Sequence, residues 1–185
     1  MATYFIADTH FDDENILKYY HRPFKDVIEM NETIYNNIVE KLVEGQSSVS
    51  NPHKLFMLGD IGNTNFVYDI LNNCKCGAEN GFFVDIMIVK GNHDNYYDFY
   101  DLIHDYNVSV SDYPIMVGGC WLSHEPITYM PPECPYLNIH GHTHSLRYGN
   151  GGTWADGNRY YNVSVENTNY YPVSMDRIRK ELFIS

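Results

Sequence analysis

Nearly every short apolar run in this chain stops at a carboxylate, an asparagine or a histidine, and that recurrence constrains the fold more than any other feature. Tyr4 to Ala7 ends at Asp8, with His10 two residues on. Leu55 to Leu58 runs into Gly59 and Asp60, and Phe83 to Val89 into Lys90, Gly91, Asn92, His93 and Asp94. Cys120 to Ser123 stops at His124, and Leu137 to His140 is followed by Gly141, His142 and His144. Ligands of open α/β sheets gather beyond the carboxyl ends of the strands. Of nine histidines, His10, His93, His124, His142 and His144 fall at such ends. Residues two apart in extended chain face the same way, so Asp8 with His10, and His142 with His144, can each present two ligands to one cavity. Gly59, Gly91 and Gly141 precede polar clusters, where glycine permits a tight turn and close backbone approach.

The remaining patterning supplies the frame. A helix is expected from about Asn31, with Ile34, Ile38 and Leu42 at four-residue spacing and Gly45 beyond its end. Phe66 to Leu71 reads as a short helix, Tyr96 to Tyr106 as another, and Met175 to Phe183 as a third. Further strands are expected at Ile115–Val117 and Tyr160–Val165, and the Tyr96–Tyr100 cluster is read as core. The first half alternates strand and helix, which implies parallel strands with helical crossovers. The second half is strand-rich with short connections. No repeat or linker divides the chain, so residues 1–185 are read as one α/β domain, a double β-sheet sandwich flanked by helices.

Charge narrows the partners. The 12 basic residues against 24 acidic ones give a formal net charge of −12. Duplex binding depends on Lys and Arg neutralising phosphates, so duplex nucleic acid is disfavoured. Two divalent cations would bring this to about −8 and make one spot strongly positive. A small phosphorylated or nucleotide-like substrate is the expected partner. The amino terminus lacks a basic start followed by a long apolar stretch, and no run reaches the ~18 apolar residues of a membrane helix. With no export signal, Cys74, Cys76, Cys120 and Cys134 are expected to be reduced thiols. A cytoplasmic location without membrane association is the corresponding expectation.

Asp8-Thr9-His10, Gly59-Asp60, Gly91-Asn92-His93-Asp94, Ser123-His124 and Gly141-His142-Thr143-His144 resemble, in order and approximate spacing, the five motifs of the calcineurin-like metallophosphoesterases. Arg22-Pro23-Phe24, Met30-Asn31 and the stretch from Asn162 to Ser174 resemble a small bacterial and phage branch of that family. The resemblance implies a binuclear centre in which Asp8, His10 and His144 hold one metal, Asn92, His124 and His142 hold the other, and Asp60 bridges them. Nitrogen and oxygen ligands without thiolate suit manganese foremost, with iron, nickel, cobalt or zinc as alternatives. The implied chemistry is attack of a metal-bridging hydroxide on phosphorus, hydrolysing a phosphodiester or phosphomonoester in a metal-dependent phosphoesterase. His93 would stabilise charge or protonate the leaving oxygen, and Asp94 would hold its ring.

Each assignment has a plainer counterpart. Asp and Asn are common at turns anyway, though that accounts poorly for seven such residues in register. His93 could lie outside the reacting shell, and Asp94 could cap the following helix. Arg22 could bind substrate phosphate through paired hydrogen bonds or serve a structural ion pair. Where branch members carry Gly-His, this chain has Asp12-Asp13, two carboxylates that disfavour highly anionic substrates. His21, His53, His104 and His140 are read as structural or surface residues. Glu125–Asn138 and Tyr148–Asn158 are the expected rim loops. The alternative functions are a non-catalytic binding scaffold and a nuclease acting on short single strands.

Overall fold

The computed structural model describes residues 1–45, 47–75, 82–106, 108–128, 130, 137–145 and 159–182. Strands β1 (Thr3–Ile6), β2 (His53–Met57), β3 (Val84–Val89) and β4 (Ser109–Ser111) run parallel, and β9 (Val173–Ser174) pairs antiparallel with β1. Their spatial order is β4-β3-β2-β1-β9. The second sheet has the order β5-β6-β7-β8, from β5 (Ile115–Val117), β6 (Cys120–Ser123), β7 (Leu137–His140) and β8 (Tyr160–Asn162). Here β6, β7 and β8 are parallel and only β5 runs against its neighbour.

The side-chain alternation of β1 explains why its sequence is continuously apolar. Tyr4 and Ile6 point into one core, Phe5 and Ala7 into another. A strand buried on both faces has no polar face to show. In the first core, Leu55, Met57, Ile86 and Ile88 meet Ile34, Ile38 and Leu42 of α2 (Val27–Glu44) and Val67 and Ile70 of α3 (Asn65–Lys75). In the second, Phe56, Leu58 and Val89 meet Leu122 and Ile139 of the other sheet and Ile178 of α5 (Met175–Glu181). The molecule is the expected α/β double-sheet sandwich flanked by helices.

Several expectations are corrected. Helix α2 starts at Val27, because Asp26 caps it by accepting from the Glu29 amide at 2.8 Å. Tyr96–Tyr106 divides into a 3-10 turn (Tyr96–Phe99) and α4 (Tyr100–Tyr106). Phe99 and Leu102 take the core positions there, while Tyr96, Tyr97 and Tyr100 are 46%, 81% and 55% exposed, so the tyrosine cluster is surface and not core. The strand expected over Tyr160–Val165 stops at Asn162, and Val165–Asn167 is a 3-10 turn. Helix α1 (Glu14–Tyr19) and strands β4 and β9 had no counterpart in the sequence reading. Cys120 is a buried free thiol, whereas the side chain of Cys74, and Cys76 and Cys134, lie outside the described residues, as do 129, 131–136 and 148–158 of the expected rim loops and the end of the last helix beyond 182. No helix among the described residues is long and apolar enough to cross a membrane.

The ends of both sheets meet at one edge. The Asp8 amide donates to Gly59 O at 3.0 Å, His10 N to Asp60 O at 3.0 Å, and Gly141 N to His124 O at 2.9 Å. Ala7 bridges to Ser164, tying the first sheet to the second where their chains turn into loops.

Candidate metal centre

Asp8, His10 and His144 lie together, with one ligand atom of each within 4.8 Å of the others. All three are buried. His144 Nε2 is 3.8 Å from Asp8 Oδ1, and its Nδ1 is 2.9 Å from Glu166 Oε1. An ionised carboxylate only accepts, so Nδ1 carries the proton and Nε2 presents a lone pair toward Asp8. His10 Nδ1 faces Asp13 at 3.5 Å. Its Nε2 is buried without a hydrogen-bond partner, 3.7 Å from Asp60 Oδ2. A buried nitrogen lone pair opposite a carboxylate, with no proton donor between them, fits a cation.

Asp60, His124 and His142 form a second group with ligand atoms within 4.8 Å of one another. His124 Nδ1 donates to Leu58 O at 2.9 Å, which aims Nε2 at Asp60 Oδ2, 3.3 Å away. Asn92 Oδ1 lies 2.9 Å from both His124 Nε2 and His142 Nδ1, and so completes this group. Asp60 Oδ2 therefore faces both groups, while Asp60 Oδ1 accepts from the His93 amide at 2.8 Å. The structure thus brings together all seven residues singled out at strand ends. Oxygen and imidazole donors around the Asp8 carboxylate and the shared Asp60 carboxylate are the chemistry of a divalent cation site.

Five of these residues hold left-handed backbone: Asp8 (φ 58°), His10 (49°), Asp60 (52°), His142 (67°) and His144 (45°). Such conformations favour glycine and cost of order 1–3 kcal/mol each in other residues. Each turns the chain so that its side chain points back over the strand ends. Gly59, at φ 85°, precedes Asp60, and a Cβ there would lie 2.5 Å from His124 Nδ1. Gly91 packs against Asp60 so closely that a Cβ would meet the carboxyl carbon at 2.9 Å.

Electrostatics within the centre are steep. Burial pushes the Asp8 carboxyl up to about 6, against the pull of His124 and His144. Burial lowers His10 to about 4, keeping it neutral. Burial also works to raise Asp60, but the hydrogen bond and charge of His124 and the His93 amide outweigh it and hold Asp60 at about 2. Burial alone would lower His124, yet the Asp60 hydrogen bond and the Asp8 and Asp60 charges raise it to about 9. At neutral pH the His124 imidazolium thus supplies positive charge beside the Asp8 and Asp60 carboxylates.

The remaining candidates divide. His93 is exposed at the mouth, its ring edge-on to His10 at 5.6 Å. The Asp94 carboxylate accepts from the amides of Asp60 (2.8 Å), Ile61 (2.8 Å) and Gly91 (2.9 Å). It clamps two loops together, and Asn95, not Asp94, caps the following turn. The Arg22 side chain is 0% exposed and engaged with protein groups, and it forms the ion pair that was the alternative to substrate binding, here with Glu166 at 2.7 Å. Asp12, at φ 66°, is held by its carboxylate, which accepts from Asn31 at 2.5 Å and from Asn63. His53 and His140 are buried, and His21 and His104 lie at the surface.

Two neighbours of the centre were not singled out as site residues in the sequence. Glu166 sits in the 3-10 turn after β8. Tyr20, at the end of α1, stacks on the His144 ring with centroids 3.6 Å apart and planes within 17°. Neither belongs to a strand-end motif, although Glu166 falls within the stretch shared with the small branch.

The same architecture recurs elsewhere. The chain is 33% identical over 184 residues to an uncharacterized protein of Methanocaldococcus jannaschii, covering 96% of this chain and 89% of that one. It is also similar to the crystal structure of a protein of unknown function from Aquifex aeolicus, at 25% identity and a TM-score of 0.64, over 97% of this chain and 98% of that chain. A nuclease, MPE, of Pseudomonas putida is more distant, at 17% identity and a TM-score of 0.45 over 77% of this chain and 60% of that one, too distant to bear on activity. The family model for calcineurin-like phosphoesterases matches residues 1–181. With its strand-end ligands gathered at one edge of a double sheet, the chain belongs to the calcineurin-like phosphoesterase family.

Proposed function

We propose that this protein hydrolyses the phosphate ester of a small or nucleotide-like substrate, as a diesterase or monoesterase, with two divalent cations bound side by side, manganese foremost. The observation that carries the reading is Asp60 Oδ2, 3.3 Å from His124 Nε2 and 3.7 Å from His10 Nε2, one oxygen addressed to both ligand groups. Asp8, His10 and His144 would hold one cation, Asn92, His124 and His142 the other, and Asp60 both. When bound, such a pair lowers the pKa of water and withdraws charge from the ester oxygens.

The protein's own groups do the rest. Asp94 fixes the Asp60 and Gly91 loops through three amide hydrogen bonds, which sets the distance between the two ligand groups. The Glu166 carboxylate and the Leu58 carbonyl fix the tautomers of His144 and His124. The exposed His93 ring, with its backbone anchored to Asp60, is placed to give a proton to the leaving oxygen from a ring nitrogen. The net charge of −12 favours compact substrates over long polyanions.

The test is an assay of manganese-loaded protein on bis-p-nitrophenyl phosphate, p-nitrophenyl phosphate and a nucleotide panel. Wild type is expected to turn over at least one of these. His93→Ala should lower kcat by about 10²–10⁴-fold, the usual scale of general acid catalysis, while keeping its metal. Equal inertness of both proteins on every substrate would falsify the reading, and a purified chain that takes up no metal would favour a binding scaffold.

A further inference from the structure

Beyond fixing the His144 tautomer through Glu166, the buried Arg22–Glu166 pair makes contacts that run straight to one ligand group. Glu166 Oε1 alone takes three donors: Arg22 Nε at 2.9 Å, Arg22 Nη2 at 2.7 Å and His144 Nδ1 at 2.9 Å. The same guanidinium donates from Nη2 to the Asp8 carbonyl at 2.6 Å and from Nη1 to the Thr9 carbonyl at 3.0 Å. Asp8 and His10, on either side of Thr9, hold the left-handed conformation, so these bonds pin the chain where it is least inclined to stay. The main chain of His144 is held as well, its carbonyl accepting from Asn162 at 2.9 Å and Asn167 at 2.5 Å. Three remote segments thus converge: Arg22 beyond α1, the Asp8–His10 turn after β1, and Glu166 after β8.

We propose that Arg22 and Glu166 are positioning residues that build the Asp8–His10–His144 ligand group and set its affinity for a divalent cation, independently of the Asn92–His124–His142 group. The proposal rests on the metal reading above. None of the second group's ligands touches the pair. His124 is oriented by Leu58 O, and His142 Nδ1 by Asn92. Loss of the pair therefore acts on one cation and not on the other.

Manganese binding is measured by titration calorimetry and the spin coupling of bound manganese by electron paramagnetic resonance, on metal-stripped wild type, Glu166→Gln, and a double variant carrying Arg22→Met with Glu166→Met. A buried ion pair replaced as a unit by apolar residues often leaves folding intact, so the double variant separates a fold role from a site role. Wild type should bind two manganese ions per chain with a coupled spectrum. Both variants, folded by circular dichroism, should bind one ion as wild type does and the other about 10–100-fold more weakly, the usual cost of removing a ligand's hydrogen-bond partner, with the coupling lost at limiting metal. Adding His142→Ala to Glu166→Gln should then weaken both ions. The proposal is overturned if a folded variant binds both ions as wild type does, if both affinities fall equally, or if neither variant folds. A wild type that binds no metal would instead sink the metal reading itself.

Discussion

The two ligand groups of this centre are built from similar side chains but held in opposite ways. Asp8, His10 and His144 are buried and are tied outward to a frame, through Glu166, Arg22 and Asp13. In the other group Asn92 is exposed and His142 half-buried, and the ligands bond chiefly to one another, with Asn92 Oδ1 shared between His124 and His142. In the proposed arrangement a cation entering the first group would meet a preformed cage. One entering the second would have to exchange existing ligand–ligand hydrogen bonds for its own. The lesson is that a similar list of ligand types does not imply equal readiness to bind.

The most severe way to break this contrast is at the residue both groups share. Gly91→Ala drives a methyl into the Asp60 carboxylate, and a displacement of about 1 Å costs on the order of 100-fold in rate. We expect kcat of the manganese-loaded enzyme to fall by about that factor, with both affinities reduced together. A normal kcat would mean that Asp60 does not set the spacing of the two groups.

The contrast is sharpened by comparing His144→Ala with His142→Ala in urea denaturation of the metal-stripped protein. His144 is buried against Tyr20 and bonded to Glu166. Its loss should destabilise the fold by about 1–3 kcal/mol, the scale of a buried hydrogen-bond partner removed. The half-buried His142 should cost no more than about 0.5 kcal/mol, as surface substitutions do. Equal costs would show that the first group is no more embedded in the fold than the second.

The pH dependence separates them most gently. Between pH 7 and 9 the first group has already released its protons from His10, held at about 4, and Asp8, held at about 6. His124 in the second group keeps its proton up to about 9. Manganese affinity there should rise by up to about tenfold per pH unit from 7 to 9 and then level off, while affinity at the first group stays flat. The raised His124 value carries a stability consequence of definite sign. Its contribution to the metal-free fold is fully present below about pH 6.5 and is lost as pH rises through 9. Parallel pH profiles for the two ions would contradict this assignment of protons.

Much of the centre was legible because its ligands sit where apolar strands must stop. A buried parallel strand reads as a continuous hydrophobic run, and the first polar residue beyond it marks the end of the sheet. That is why Asp8, His10, Asp60, Asn92, His124, His142 and His144 could be placed together before any geometry was known. Glu166 was not legible in that way, since it follows a three-residue strand through a 3-10 turn and gains its meaning only from Arg22, far away in sequence. Strands β4 and β9 were missed for a related reason. At three and two residues they carry no periodicity and exist because a neighbouring strand offers an unpaired edge. The tyrosines at 96, 97 and 100 misled because aromatic density suggests a core, whereas a 3-10 turn passing into a helix spends its inward positions on Phe99 and Leu102. Arg22 could be read two ways from its residue type, and only burial decides between them.

The left-handed residues around the centre also limit how the molecule can change. A glycine at position 8, 10, 60, 142 or 144 would suit its backbone better and would delete a ligand in the same stroke. Mutational routes toward a hardier protein therefore run through the two apolar interiors or the surface helices, and any that enter this rim trade function for robustness. Asp12 is an exception. It shares the same φ range and holds no metal in the proposed arrangement, so glycine could be tried there without touching a ligand.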